Sequence, residues 1–421
     1  MPKIKPFRGI SYNKSLPIEK VVAPPYDVIS EKERDELYEL HEFNVIRLIL
    51  NRDADRYERA KKIFDDWLKN NVLVEQNEEA IYIYEQKFEV DGELYKRVGI
   101  ICLMKLEEFG KGNIFPHEKT FPKPKEDRFN LLKSTNAQFD HIFGIYSDPQ
   151  FKLEKLIDEF KPSSPLFNFE FPSGGKVWHY LYDIKNAEFF EKVGEIFENL
   201  QIFIADGHHR YETGLMFRDY IASLHGGNYP SSYDYILTYL TNMEAEGLVI
   251  LPTHRIISNV DKVELRHKFN SEKISAQFEI IKINSSQDFK KHFPLKNFRK
   301  GVFGVCLDRD DFLILKIKDK DMINSILPDH LPEPVKLLDV TILHEFIFNL
   351  LGLNTSEIKL SYTHNLDEAL KLSEEVDKVA FILNPPSIND VKNVSLSGAT
   401  MPQKSTYFYP KILSGIVMRR F

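Results

Sequence analysis

The chain has 421 residues, 43% hydrophobic and 28% charged: enough length for two or three packed units and a composition that leaves little room for extensive disorder. A formal charge of −7 and a pI near 6.1 argue against general nucleic-acid binding, which draws its affinity from many Lys and Arg. Its longest apolar runs fall well short of the roughly 20 residues of a membrane span, and the opening MPKIKPFRGISYN has no apolar signal core, so a cytoplasmic protein with no membrane or nucleic-acid partner is expected.

Taken in order, the Pro-rich VVAPPYDVIS precedes a polar helix over about 30–41, and the apolar NVIRLIL reads as a strand. In ADRYERAKKIFDDWLKN, Tyr57, Ala60, Ile63, Phe64 and Trp67 recur at helical spacing, which marks a core-facing stripe. Residues 80–106 form two β-rich runs around Asp91-Gly92, a dipeptide suited to a tight hairpin. The next stretch, EEFGKGNIFPHEKTFPKPKEDRFN, is so rich in Gly, Pro and charge that no regular element is expected there. Beyond it helix and strand patterns alternate: strands HIFGIYS, VWHYLYDI, QIFIAD, YDYILTYL and GLVILPTHRII, with helices FKLEKLIDEF, 187–199 and from about 207. The final third adds a helix DVTILHEFIFNLL and strands IKLSYTH and KVAFILN, so the fold class is mixed α/β. Cys102 and Cys306, the two cysteines, both lie in strand-like runs and read as inert buried thiols.

Four stretches carry chemistry. In IFIADGHHRYETGL a strand meets a helix at Asp206-Gly207, and a helix start favours an anion. Gly207 lets a phosphate approach the backbone, His208 and His209 can donate to it, and Arg210 offers a planar fork. Asp206 would repel a bare phosphate, so it acts as the helix N-cap or through a cation such as Mg²⁺. In FPHEKTFPKPKEDR, a solvated loop competes with a functional reading in which one carboxylate is a general base and Lys and Arg contact anions. MPQKSTYFYPK offers Lys404, Ser405 and Thr406, a cation beside two hydroxyls, and LPTHRII offers Thr253, His254 and Arg255 after a strand. His208 and Glu212 share a helical face but lack a third zinc ligand near in sequence. Gly175-Lys176 lacks the rest of a P-loop, and neither a GxSxG elbow nor a CxxC pair occurs.

Together VVAPPYDVIS, NVIRLIL, PHEKTFPKPKEDR, IADGHHRYETGL, NMEAEGLVILPTHR and MPQKSTYFYPK resemble the DUF1015 family. The resemblance implies a ParB/sulfiredoxin-like core with large N-terminal and C-terminal elaborations. It implies a catalytic lobe with its N-terminal extension over 1–255, and a second α/β lobe over 256–421 whose loop at about 400–411 returns to the site. Sulfiredoxins place a Cys where this chain has His208, so their sulfur chemistry is not expected here. The chain is also similar to free L-serine kinases, which carry a Pro-His-Glu, an Asp-Gly-His-His-Arg and a C-terminal Pro-x-Thr-Thr-like loop in the same order, with a shorter segment between the first two. By that resemblance Glu118 takes the serine hydroxyl proton, and Asp206 supports Mg²⁺ or orients the attack. Gly207, His208, His209, Arg210, Lys404, Ser405 and Thr406 hold the phosphoryl donor, ATP, ADP or pyrophosphate. His117, Lys119, Arg128, Thr253, His254 and Arg255 contact the substrate. The alternative is a ParB-like nucleotide- or phosphate-binding switch without kinase activity.

Overall fold

The computed structural model describes residues 2–172, 175–293, 300–319, 321, 326–354 and 358–421. They form a mixed α/β fold of two compact units: Met1–Pro116, Thr120–Val249 and Pro410–Phe421 in the first, His117–Lys119 and Ile250–Tyr409 in the second.

The first unit is built on a nine-stranded mixed sheet. Its long hairpin, Ile81–Val90 and Glu93–Lys105, turns on Asp91 and Gly92, both at positive φ (53° and 79°), as the sequence pattern requires. Tyr235–Asn242 pairs antiparallel with the second hairpin strand and parallel with Ile142–Tyr146. Ile142–Tyr146 in turn pairs antiparallel with Ile202–Asp206, whose other edge runs parallel to Ile114–Phe115. The strand-like apolar runs are therefore sheet-centre strands. Ile100, Met104, Tyr146, Ile202 and Leu240 are buried with Leu153 and Leu156 of helix Lys152–Phe160 and Phe189 and Phe197 of helix Ala187–Phe197. Each such side chain contributes about 1.5–3 kcal/mol on burial.

The second unit holds a six-stranded sheet in the order 278–283, 311–317, 302–308, 378–382, 254–258, 359–363, every pairing antiparallel. Phe289, Phe312, Ile256, Ile314 and Ile382 fill its core. Both cysteines are buried in strands, where desolvation pushes each thiol up.

Three elements differ from the sequence reading. NVIRLIL contains a helical turn, Ile46–Ile49, rather than a strand. Asn44 turns the chain: its amide donates to the carbonyls of Lys20 and Val22 while its Oδ1 accepts from Ile46 N, and an apolar run buried on every side has no period to betray its type. The last nine residues of the stretch expected to be irregular open helix Pro122–Thr135. Its prolines fall in the first turn, where a missing N–H costs nothing. GLVILPTHRII is two strands, Val249–Leu251 and His254–Ser258, interrupted by Pro252, which cannot donate to a ladder.

Candidate functional site

The strand Ile202–Asp206 is buried through Ala205 and emerges at Asp206, and helix His208–Leu224 starts two residues later. Gly207 makes the corner at φ 90°, where a Cβ would lie 3.1–3.2 Å from the Arg210 guanidinium. Gly207, and not Asp206, occupies the N-cap position, and no side chain caps the helix. Asp206 turns inward instead. Its Oδ1 accepts from Gly207 N (2.8 Å) and lies 3.7 Å from Arg210 Nη2, and its Oδ2 accepts from Lys411 Nζ at 2.9 Å. Burial alone would raise the Asp206 carboxyl, but Lys411 and Arg210 outweigh it and hold the group well below the usual carboxylate range. Arg210 also donates from Nη1 to the His141 carbonyl.

A Mg²⁺ ion does not fit this arrangement, because both oxygens of Asp206 are engaged by donors and flanked by cations. Among the described residues no group of three His, Cys, Asp or Glu could hold a metal.

The Pro-initiated helix is tied to the same helix start. Phe121 N donates to His209 Nε2 (3.0 Å), and the two rings stack. Glu212 accepts from Thr120 Oγ1 at 2.9 Å and Lys125 Nζ at 2.6 Å, which commits the carboxylate paired with His208 in the zinc reading. Arg128, read in sequence as a loop cation, is buried. It donates from Nε to Asp127 and from Nη2 to the Ile49 carbonyl (both 2.9 Å), and the Tyr26 ring lies 4.1 Å from its guanidinium carbon. Arg128 and Arg210 line one recess of about 50 Å³ together with Asp140.

The second unit gathers the other candidates. The Pro-His-Glu segment lies along the C-terminal loop: Glu118 and Met401 form a parallel bridge, Met401 N donates to the His117 carbonyl (2.8 Å), and His117 Nε2 lies 3.0 Å from Thr406 Oγ1. Arg255 is 1% exposed and anchors the same loop, donating from Nη2 to the carbonyls of Gln403 (3.2 Å) and Lys404 (3.1 Å) and from Nη1 to that of Thr253. Among the described residues no carboxylate pairs with it, and burial lowers it to about 10. His254 is buried and lowered to about 3, chiefly by desolvation. Thr253, Arg255 and Ser405 line one small recess, whereas Lys119 is exposed and Lys404 stands at φ 52°. The 640 Å³ cavity on this unit, lined by His344, Tyr362 and Gln403, includes none of the candidate residues.

Lys411, Tyr26, Asp27 and Asp140 were not singled out from sequence. Lys411 closes the MPQKSTYFYPK stretch and Tyr26-Asp27 sit in VVAPPYDVIS, whereas Asp140 directly precedes the strand HIFGIYS; none has a local pattern of its own.

A family described as "Protein of unknown function (DUF1015)" matches residues 4–341. The chain belongs to the DUF1015 family. No curated protein matches it. Among solved structures, this DUF1015 chain is similar to a conserved hypothetical protein from Pyrococcus furiosus (13% identity, 71% of this chain and 89% of that one, TM-score 0.32). It is also similar to a free serine kinase in complex with AMP (13%, 70% and 83%, TM-score 0.33) and to SbnI with a C-terminal truncation from Staphylococcus aureus (9%, 75% and 85%, TM-score 0.34). No described helix is long and apolar enough to cross a membrane.

Proposed function

We propose that this DUF1015 chain is a small-molecule kinase that moves a phosphoryl group from ATP, ADP or pyrophosphate to the hydroxyl of free L-serine, giving O-phospho-L-serine. The observation that carries this reading is the buried Asp206–Lys411–Arg210 cluster at a strand–Gly–helix corner. Two fixed cations around one fixed carboxylate leave the helix start net positive, and phosphoryl transfer depends mostly on positioning and charge neutralisation. The order of the Pro-His-Glu, Asp-Gly-His-His-Arg and Pro-Gln-Lys-Ser-Thr stretches supports the same assignment.

In this scheme Glu118 accepts the hydroxyl proton as the serine oxygen forms its bond to phosphorus. The bond from phosphorus to the bridging oxygen of the donor breaks, and ADP, AMP or phosphate leaves with that electron pair. Gly207, His208, His209 and Arg210 bind the donor phosphates. Lys404, Ser405 and Thr406 add a cation and two hydroxyls, and His117, Lys119, Arg128, Thr253, His254 and Arg255 serve the substrate. Asp206 holds Lys411 and Arg210 in place, and no step runs through a metal.

The test is phosphorus NMR with L-serine and each donor in turn, for the wild type and Glu118→Gln. Phosphoserine is expected from the wild type. The variant should keep donor affinity and lose about 10²–10⁴-fold in turnover, the usual weight of a general base. Unchanged serine phosphorylation by Glu118→Gln would sink the base assignment, and donor binding without phosphoserine would favour the non-catalytic switch.

A further inference from the structure

We infer that the recess lined by Arg128 and Arg210 seats the head group of a small amino acid, with Arg128 binding its carboxylate and Asp140 its ammonium. This rests on the reading that the chain acts on a free amino acid, and it adds the residues that select one.

Size comes first. The recess is small, about 50 Å³, and so suits a head group of a few atoms, a carboxylate with its α-carbon and ammonium, better than a nucleobase or a triphosphate.

Polarity comes second. Arg128 is only 7% exposed, and its Nη1 is buried with no hydrogen-bond partner among the described residues. Its other donors are spent on Asp127 and the Ile49 carbonyl, and Tyr26 covers one face of the guanidinium. A buried orphan donor is rare and calls for a partner, and the planar fork of Arg is matched to a carboxylate. Among the described residues Asp140 is the only carboxylate in the lining, and it already accepts from the Ser414 hydroxyl, while Leu131, Phe139 and Ile142 supply apolar wall. The spare Nη1 of Arg128 can take a carboxylate and Asp140 an ammonium, a pair of opposite charges that suits a zwitterion. A free phosphate would meet Asp140 there, beside an Arg128 that Asp127 already neutralises, whereas the helix start adds free backbone N–H groups to Arg210 and Lys411.

The test is titration calorimetry on the full chain with L-serine, ethanolamine, which lacks the carboxylate, glycolate, which lacks the ammonium, and inorganic phosphate. L-serine is expected to bind, the other three at least about tenfold more weakly, because each leaves a buried charge unmatched. Arg128→Lys should weaken L-serine by a similar factor. Ala137→Leu fills the recess from a buried lining position without altering a charge, and it should lose L-serine while retaining pyrophosphate binding and the wild-type near-ultraviolet dichroism. Ethanolamine or phosphate binding as well as L-serine would overturn the inference. So would unchanged L-serine affinity in the two variants, or no amino-acid binding by folded wild type. L-serine bound with this selectivity but never phosphorylated would uphold the recess and refute the kinase. Phosphoserine formed with an unchanged KM for serine in both variants would do the reverse.

Discussion

At the scale of single residues, the feature that organises the first unit's candidate site is a carboxylate that cannot protonate easily. Asp206 is buried, a condition that favours the neutral acid, yet Lys411 and Arg210 hold it ionised. Because its folded pKa lies below its unfolded value near 3.9, its contribution to stability is present above that pH and is lost as pH falls through the folded value. Removing one member strands the rest. Lys411→Met is expected to cost about 3–5 kcal/mol at neutral pH in denaturant unfolding, the usual penalty for breaking a buried pair. Asp206→Asn with Lys411→Met should cost clearly less than the sum of the two single changes. Strict additivity would show that the pair does not act as a unit.

At the scale of elements, two helix starts are fastened to each other. Glu212 on His208–Leu224 accepts from Thr120 and Lys125 at the head of Pro122–Thr135, and its side chain is 26% exposed. Glu212→Ala should therefore lower stability by about 1 kcal/mol and speed hydrogen exchange in residues 120–126. Exchange that is unaltered there would separate the two helices energetically. The site helix was legible in the sequence because a buried strand, a glycine and a helical run follow one another within a few residues. The Pro-initiated helix was not, because Pro122 and Pro124 look like breakers until their place in the first turn is known. NVIRLIL failed for the opposite reason: continuous burial erased the period that would have told helix from strand. The hairpin at Asp91-Gly92 was legible because its turn chemistry is local.

For the whole molecule, four histidines are buried as neutral rings: His141 and His179 in the first unit, His254 and His344 in the second. Desolvation, the largest cause for each, lowers three to about 3 and His344 to about 4. Their folded values lie below the unfolded 6.5, so the unfolded chain binds protons first. Stability is full above about pH 6.5 and falls as pH drops toward 4. Two such rings give each unit a slope of up to roughly 3 kcal/mol per pH unit. Urea melts at pH 7.5, 6 and 5 check this, and stability flat across that range would show that these rings protonate without unfolding. The mixed α/β class was legible from alternating patterns, and so was the strand–helix corner with its Asp-Gly-His-His-Arg run. Its partner Lys411 was not, since it lies 205 positions downstream of Asp206 and only the folded chain pairs them. That separation bears on synthesis. Residues 410–421 bring Lys411 to Asp206, the Pro410 carbonyl to buried Arg97, and Arg419 and Arg420 into a two-stranded pairing with Ala137–Gln138. All are made only after the second unit has been translated. A ribosome that stalls within the second unit leaves a first unit whose Asp206 lacks Lys411 and whose Arg97 lacks the Pro410 carbonyl, an interior left incomplete until the last dozen residues emerge.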